Sequence, residues 1–399
     1  MGKKFNIGIL GTATLPIPPF KGYGGTQRGI YDFLVQMNSK GHRVHLFGPG
    51  DSEVSHLENV LLHSFVDQSL WIPENAKSIE TKRTLTAKHY EESLKRLKEI
   101  AQTERLDIIN IRTDNLEVMQ EVVNKFGIER IVYSLHNVKD QSRIETIKDS
   151  GIQCVAHCRN HKNQHSDLPN IKTIMYGIDV SSYHFSEKTL SESGEAPTLK
   201  ELVALKKKGQ DYLLTLGAIG RHKGQKTCIE LAREVDTPLI IAGAPQDRTS
   251  NEKQRYFDEN IAQHIDGKRI IYFGNANEEQ KKELLKFSKA FLFPSGYEDR
   301  TWDEPFGRAP VEALSSGTPV VAYRKGSMEE VIYNQFNGYL FDDAEEATEQ
   351  LRNIKEVNRV DCRRTAEVKF NSPRVADDYE KLFNEIVGRN TSSKTPKHF

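Results

Sequence analysis

Residues 303–322 read DEPFGRAPVEALSSGTPVVA and predict a loop, a helix, a turn and a strand in that order. Pro310 suits the first turn of a helix, where its missing N–H costs nothing. Gly317 suits the left-handed residue that follows a helix end, and Pro319 prevents the helix from continuing. The apolar run at residues 320–322 is typical of a buried parallel strand. This order of predicted elements indicates an α/β protein with a parallel sheet.

Two carboxylates flank the predicted helix start, Glu304 in the preceding loop and Glu312 within the helix. Free N–H groups at a helix start bind anions, above all phosphates. Carboxylates accept hydrogen bonds from hydroxyl groups. Such a loop and helix can hold a ligand that is part phosphate and part polyhydroxyl, as a nucleotide sugar is. On these residues alone, an acidic helix start without a binding role is an equally good interpretation.

Composition limits the class of protein. A chain of 399 residues is too long for one ordinary core, which predicts two domains. Lys+Arg and Asp+Glu both number 56, so no global charge favours nucleic acid as a partner. The four cysteines are too scattered for a disulfide framework, and no apolar run is long enough for a membrane span. We expect a soluble protein of the cytoplasm; its oligomeric state and contact with a membrane surface stay open.

A first series of apolar strands alternates with helical patterns, which predicts βαβ units. The glycine pair Gly24-Gly25 lies where the first strand leads into a helix, so backbone can approach a ligand there. Arg112 and Asp114 follow a later strand, and His136 follows the next. Ligands bind outside the carboxyl ends of strands in such sheets, so these side chains are candidates for binding. These predicted strands cover residues 5–10, 44–47, 106–111, 131–135, 153–156 and 172–175.

A cluster of cysteines and histidines at residues 154–165 lacks the paired spacing of a zinc site. No Asp-x-Asp pair occurs in the sequence, so a diphosphate-bridging metal has no evident ligands. We therefore expect no metal and no cofactor.

The strand rhythm stops over residues 184–209, which predicts a linker, and then restarts. The second series begins with a glycine loop at residues 217–224, in which Arg221 and Lys223 precede a helix. Two cations beside a glycine turn at a helix start can bind a diphosphate. The second-series strands are predicted at residues 212–216, 238–242, 269–273, 290–293, 320–322 and 339–341.

We thus predict two doubly wound Rossmann-like domains. The predicted boundaries are residues 1–183 for the first domain, completed by a helix at 373–387, then the linker at 184–209, the second domain at 210–371 and a polar tail at 388–399.

Four stretches match sequence motifs of one known family and follow the same order along the chain. They are Tyr23-Gly24-Gly25-Thr26-Gln27-Arg28, then Tyr133-Ser134-Leu135-His136-Asn137, then Gly177-Ile178-Asp179, and last residues 304–322 with their continuation to 340. Together they resemble the retaining glycosyltransferases of family four, whose GT-B fold places two Rossmann-like domains face to face across a cleft. The resemblance covers nearly the whole chain, and the E-x7-E spacing of Glu304 and Glu312 is its most specific part.

The resemblance implies acceptor binding in the first domain at 1–183 and nucleotide-sugar donor binding in the second at 210–371. It also implies a role for each matching residue. Glu304 would bind hydroxyls of the donor sugar, Glu312 would bind the ribose, and His136 would bind the sugar from the first domain. Lys223 occupies the place of the family's phosphate-binding lysine, and Gly24-Gly25 would face the diphosphate. Backbone N–H groups opposite that glycine pair would do the same; they belong to Phe306, Gly307 and Arg308.

One position departs from the family pattern. An arginine usually stands five residues before the lysine, where this chain has Ala218, and Arg221 is a candidate to supply the missing charge. The segment before Glu304 is also longer than usual. The expected reaction moves a sugar from a nucleotide diphosphate, a UDP-sugar by family habit, to an unidentified sugar, lipid or small-molecule hydroxyl. A sugar phosphorylase or epimerase, and a non-catalytic nucleotide-sugar binding protein, are the alternatives.

Overall fold

The computed structural model describes residues 3–19, 24–71, 78–113, 115–136, 141–245 and 251–392. Within these ranges the chain forms two compact units. The first unit runs to Gly177 and takes up the chain again from Ser372, whereas the second extends from Ile178 to Asn371. The predicted domain boundary at residue 183 therefore falls inside the second unit, and so does the segment at 184–209.

The first unit is built on a seven-stranded sheet whose paired strands all run parallel. Its order is β3-β2-β1-β4-β5-β6-β7, so the strand order reverses between β1 and β4. β3 is short and half exposed on one face, which explains why no strand was predicted there. The strands are β1 (Asn6–Leu10), β2 (Arg43–Phe47), β3 (Val60–His63), β4 (Ile108–Ile111), β5 (Ile131–Ser134), β6 (Gln153–Ala156) and β7 (Ile171–Thr173).

Helices cover both faces of this sheet, so its strands are apolar on both sides. One face packs against the first and last helices of the chain, and the other against helices from the middle of the unit. The last helix begins where the predicted helix at 373–387 begins and continues into the predicted tail. The helices are α1 (Gly25–Ser39), α2 (Ile79–Thr103), α3 (Leu116–Phe126), α4 (Gln141–Ser150), α5 (Arg159–Gln164) and α14 (Ser372–Ser392).

The second unit repeats the plan with a six-stranded parallel sheet of order β10-β9-β8-β11-β12-β13. Here the order reverses between β8 and β11, which pair directly. All six strands lie within or next to the predicted ones, because each is a short apolar run between turn signals. The strands are β8 (Leu213–Leu216), β9 (Leu239–Ala242), β10 (Ile270–Gly274), β11 (Ala290–Phe293), β12 (Val320–Tyr323) and β13 (Gly338–Phe341).

The buried side chain of Arg359 connects segments of the second unit that lie far apart in the chain. Arg359 donates hydrogen bonds to the carbonyl oxygens of Ser186, Ser288 and Lys286, at 2.7 to 2.8 Å. Its guanidinium thereby fixes the segment around Ser186 against the end of the helix that includes Lys286. The helices are α6 (Lys200–Lys207), α7 (Gln225–Glu234), α8 (Glu252–Asn260), α9 (Glu278–Phe287), α10 (Arg308–Ser315), α11 (Met328–Val331), α12 (Ala344–Arg352) and α13 (Arg359–Lys369).

Within the described ranges, no helix combines the length and the apolar character that a membrane span requires.

Candidate functional site

The candidate site of the second unit lies at the point where its strand order reverses. The loop after β8 carries Lys223, and the long loop after β11 carries Glu304. Since β8 and β11 are parallel neighbours, both loops leave the sheet at the same edge. Ligands of doubly wound sheets bind at this edge, in the crevice between the diverging loops.

Internal hydrogen bonds give the loop after β8 its shape. The Gln225 side chain donates to the Ala218 carbonyl at 3.0 Å and accepts from the Gly220 N–H at 3.2 Å. Gly224 has a φ of +73°, and a Cβ there would lie 2.7 Å from the Pro294 carbonyl oxygen. Only glycine fits this turn. The close approach brings Lys223 against the loop that follows β11.

Lys223 and Glu304 form a buried ion pair, and the Ser295 hydroxyl donates a second hydrogen bond to the Glu304 carboxylate at 3.1 Å. Their side chains are only 10% and 12% exposed. Burial raises the pKa of Glu304, but the Lys223 ammonium and the Ser295 hydroxyl outweigh it, so the pKa lies below its ordinary value. The carboxylate is therefore charged at neutral pH.

Aromatic rings enclose this ion pair. The Lys223 ammonium lies 5.2 Å from the centre of the Trp302 ring and 5.7 Å from that of Phe293. The Trp302 ring also packs against His222, with 4.7 Å between ring centres. Burial, with the nearby Lys223 and Lys253 cations, lowers the pKa of His222 to about 4. This histidine is neutral at pH 7, and Lys223 is the cation that meets the carboxylate.

A third loop holds the Glu304 backbone in place. The Ser327 N–H donates to the Glu304 carbonyl at 3.1 Å, and the Ser327 hydroxyl donates to the Phe306 carbonyl at 2.7 Å. Gly326 has a φ of +63°, and a Cβ there would lie 2.7 Å from the Glu304 carbonyl oxygen. Residue 326 in the turn after β12 must therefore be glycine for two reasons, its positive φ and its close contact with the Glu304 carbonyl oxygen.

Glu312 lies in α10 and has its own cations. Its carboxylate is 3.3 Å from the Lys281 ammonium and 3.7 Å from the Arg308 guanidinium, and its side chain is 6% exposed. Lys281 comes from α9 and also contacts Glu278 at 3.1 Å. The two glutamates of the E-x7-E spacing therefore belong to two separate charge clusters.

Two helices begin near the site, α10 and α7. At α10, Gly307 takes the left-handed position with a φ of +75°, directly before Arg308 begins the helix. At α7, the Glu298 carboxylate accepts from the Thr227 N–H and hydroxyl, both at 3.0 Å. The Lys226 N–H donates to a tyrosine hydroxyl that also binds Glu298. The start of α7 is thus already capped by protein groups.

Of the two cations predicted in the glycine loop, Lys223 belongs to the charge cluster of Glu304. Lys223 contacts Glu304, whereas the Arg221 side chain is exposed. Ala218 is buried at 3% exposure. Whether Arg221 replaces the charge missing at Ala218 stays a prediction.

The first unit holds the other predicted donor residues. Gly24 precedes α1, where a Cβ would lie 2.7 Å from the Pro19 ring. The Gln27 side chain ties α1 to the loop after β1, since it donates to the hydroxyls of Thr12 and Thr14 at 3.0 and 3.1 Å. The glycine pair thus lies at the predicted junction of strand and helix, next to the sheet position where the order reverses.

His136 lies directly after β5, in a cluster of buried aromatic side chains. Its Nδ1 forms a hydrogen bond of 3.0 Å with the Tyr176 hydroxyl, and its ring stacks on His157 with 5.3 Å between centres. Burial, with smaller effects of Arg112 and His161, lowers the pKa of His136 to about 3. The imidazole is therefore neutral at physiological pH and can exchange hydrogen bonds but carries no charge.

Arg112, the first acceptor-side candidate, is a buried side chain. The side chain is 1% exposed and points into the layer of α1 and α14, where its guanidinium lies 4.5 Å from the Phe33 ring centre and 5.4 Å from that of Tyr379. Its Nε donates to the Asn110 side chain at 2.5 Å. Asp114, the second acceptor-side candidate, lies outside the described residues.

Several residues that shape the site were not predicted. Lys281, Ser295 and Tyr176 each contact a predicted residue, yet each is separated from it by many positions in the chain. No local pattern marks them. In the part of the chain that the structure describes, no three His, Cys, Asp or Glu side chains are arranged to hold a metal ion.

Comparisons with known proteins agree with this geometry. Residues 200–367 match the family model described as Glycosyl transferases group 1. This match lies within the second unit. An uncharacterized glycosyltransferase of Methanocaldococcus jannaschii is 28% identical over 133 residues, 32% of this chain and 31% of that protein. The chain thus spans less than two thirds of the length of the first curated relatives it matches.

Solved structures extend the likeness to the whole fold. Sucrose-phosphate synthase from Thermosynechococcus elongatus superposes with a TM-score of 0.74 at 15% identity, over 97% of this chain and 100% of that one. HepE from Anabaena, solved with UDP and glucose, gives 0.67 at 16% identity, over 96% and 100%. The predicted fold class is confirmed: two parallel-sheet Rossmann-like domains that match glycosyltransferase structures of the GT-B type.

We predict that Gly326→Ala lowers activity more than stability alone explains, because the new Cβ pushes against the Glu304 backbone. Gly209→Ala is the matched control, since Gly209 has a φ of +64° with no atom within 4 Å of the added carbon. Both variants carry the cost of a left-handed alanine, roughly 1 kcal/mol. Sugar transfer and thermal unfolding are measured for both. Equal loss of activity in the two variants would contradict the role of Gly326.

We predict that acid destabilises the first unit. Burial holds the pKa values of His136 and His161 at about 3 and about 4, so below pH 6.5 the unfolded chain binds more protons than the folded one. Stability then falls as pH drops from about 6.5 toward 4, by about 1.4 kcal/mol per pH unit for each histidine. Hydrogen exchange of β5 and β6 amides, corrected for intrinsic rates, measures this loss.

The variant His161→Phe should reduce that pH dependence by about one proton. His56→Phe, which removes an exposed histidine of the same unit, is the matched control. Unchanged protection of β5 and β6 between pH 7 and pH 5 would show that these histidines are not held neutral by the fold.

Proposed function

We propose that this protein is a retaining glycosyltransferase that moves a hexose from a nucleotide diphosphate, a UDP-sugar, to an acceptor hydroxyl without a metal ion. The observation that carries the proposal is the buried Lys223–Glu304 pair at the point where the second sheet reverses its strand order. A cation and a charged carboxylate held side by side suit a ligand that joins a phosphate to a polyhydroxyl ring.

In this proposal the phosphate and sugar ends of the donor meet different groups. Lys223 neutralises the diphosphate together with the N–H groups at the start of α10, from Phe306 to Arg308. Glu304 accepts hydrogen bonds from the sugar hydroxyls, and Glu312 accepts those of the ribose. Gly24-Gly25 and His136 are further candidates for contacts with the donor, and Arg221 is a further candidate for the phosphate.

The transfer step is proposed to occur on one face of the sugar. The bond between the anomeric carbon and the phosphate oxygen breaks as the acceptor oxygen forms its bond to that carbon on the same side. The acceptor hydroxyl's proton passes to the departing phosphate oxygen, so no protein base is required. Lys223 stabilises the charge that develops on the leaving diphosphate, which is electrostatic catalysis by a preorganised group.

Three observations support the finer parts of the proposal. The absence of an Asp-x-Asp pair in the sequence, together with a buried lysine at the site, favours neutralisation of the diphosphate by protein cations. The complex of the similar HepE structure with UDP and glucose favours a UDP-sugar as donor. The proposal that the sugar keeps its anomeric configuration rests on the family resemblance of residues 304–322.

Hydrolysis by a pair of carboxylates is disfavoured by the charge clusters. A retaining glycosidase needs its two carboxyl groups about 5–5.5 Å apart around one bond. Here Glu304 contacts Lys223, whereas Glu312 contacts Lys281 and Arg308. Each carboxylate has a separate cation partner, which suits two contacts along an extended donor.

We expect a UDP-sugar to raise the thermal unfolding temperature more than GDP- or ADP-sugars do. A donor at a hundred times its dissociation constant adds about 2.7 kcal/mol of stability. Each donor that binds is then incubated with and without candidate acceptors, and nucleotide release is measured. A strict need for inorganic phosphate would indicate a phosphorylase, and binding without any transfer or hydrolysis would indicate a non-catalytic binding protein. Either result would overturn the proposal.

We predict that Lys223→Met lowers turnover about 100- to 1,000-fold, the loss typical for removal of one group that stabilises developing charge. Since this change leaves Glu304 buried without its cation, the double variant Lys223→Met/Glu304→Gln separates folding from chemistry. The double variant should regain stability but not turnover. Lys226→Met removes a half-exposed lysine of α7 and is the matched control. Near-normal turnover in Lys223→Met would exclude Lys223 from the diphosphate site.

A further inference from the structure

The hydrogen-bond partner of His136 is a tyrosine held in one orientation by its surroundings. The Tyr176 ring stacks on His157, with 3.8 Å between ring centres and 23° between ring planes. On the α1 side, a Cβ on Gly29 would lie 3.0 Å from the Tyr176 ring, so the helix packs directly on it. The ring therefore has little freedom, and its hydroxyl stays 3.0 Å from the Nδ1 atom of His136.

The chemistry of the two groups decides the direction of this hydrogen bond. A phenol O–H is a stronger acid than a neutral imidazole N–H, and an imidazole nitrogen lone pair is a better acceptor than a phenol oxygen. These strengths favour a hydrogen bond in which the Tyr176 hydroxyl donates to Nδ1. A neutral imidazole carries one proton, so His136 then holds that proton on Nε2. Burial and the neighbouring Arg112 cation keep the ring neutral.

The Nε2 atom of His136 is buried and has no hydrogen-bond partner among the described residues. Buried donors are nearly always paired, because an unpaired one loses its bonds to water without replacement. An oxygen atom of a bound ligand would supply a partner for this N–H. Because the ring is neutral, it can donate this hydrogen bond without adding a charge to the site.

We propose that Tyr176 is a positioning residue that fixes the Nε2–H tautomer of His136, so that this nitrogen donates a hydrogen bond to an oxygen of the donor sugar. The contact with the sugar rests on the proposed function, whereas the tautomer does not. The competing interpretation is that Tyr176 only fills space between α1 and His157. The two differ in the hydroxyl, which packing alone does not need.

The variant Tyr176→Phe removes the hydroxyl and keeps the ring, so the packing against Gly29 and His157 is retained. Tyr379→Phe is the matched control, because it removes another buried hydroxyl of the first unit, one without a hydrogen-bond partner among the described residues. The tautomer is read by two-bond proton–nitrogen NMR of histidine side chains at pH 7. The signal that disappears in His136→Asn identifies His136.

The wild-type and control proteins should show the proton of His136 on Nε2, whereas Tyr176→Phe should show a mixture of both tautomers. A wild-type proton on Nδ1 would overturn the inference without any variant. A pure Nε2–H signal in Tyr176→Phe would also overturn it, because the hydroxyl would then not set the tautomer.

The same variant is tested with the donor identified by the ligand screen. The kcat/KM for that nucleotide sugar should fall roughly 3- to 10-fold, the value of one hydrogen bond, while the affinity for the free nucleotide stays unchanged. A tautomer shift with unchanged kcat/KM would mean that His136 does not bind the sugar, and this part of the inference would fail. The proposed transferase activity itself would still stand, since it is measured on the wild-type protein.

Discussion

The buried ion pair between Lys223 and Glu304 couples two loops that the chain brings together from distant positions. Taking two charges out of water costs several kcal/mol for each, and only close pairing with further hydrogen bonds offsets that cost. The Ser295 hydroxyl supplies one such bond. Losing either partner would leave a buried charge alone, so the conformation of one loop depends on the other. The glycine turns at Gly224 and Gly326 provide the close approach that this pairing requires.

Sheet topology explains why these loops meet at all. In the second unit β8 is the first strand and β11 the fourth, yet they are hydrogen-bonded neighbours because the chain changes direction across the sheet between them. The first unit repeats this arrangement with β1 and β4. The loops after the two strands of each pair therefore start side by side and then diverge. Polar side chains of the two loops are close together at this point. This placement of the loops follows from the strand order and does not depend on which ligand binds.

Local sequence patterns account for much of the fold and for part of the site. Apolar runs between glycine and proline turns predict the strands, and residues 304–322 predict the loop and helix that carry both glutamates. Which side chains contact each other is harder to predict, because Lys223 and Glu304 lie 81 residues apart and Tyr176 lies 40 residues from His136. Arg112 shows a different limit. Its place after β4 is as predicted, but the side chain follows the face of Asn110 into the apolar layer.

The charge states of the candidate residues bear on the kind of reaction they can support. Lys223 holds the pKa of Glu304 below its ordinary value, so this carboxylate is charged throughout the neutral range. Burial holds the pKa values of His136 and His222 at about 3 and about 4, so both imidazoles stay neutral there. None of the three is therefore poised to gain and lose a proton near pH 7, as a general base must be. A transfer in which the departing phosphate accepts the proton needs no such group, and fixed charges and fixed hydrogen-bond donors are sufficient for it.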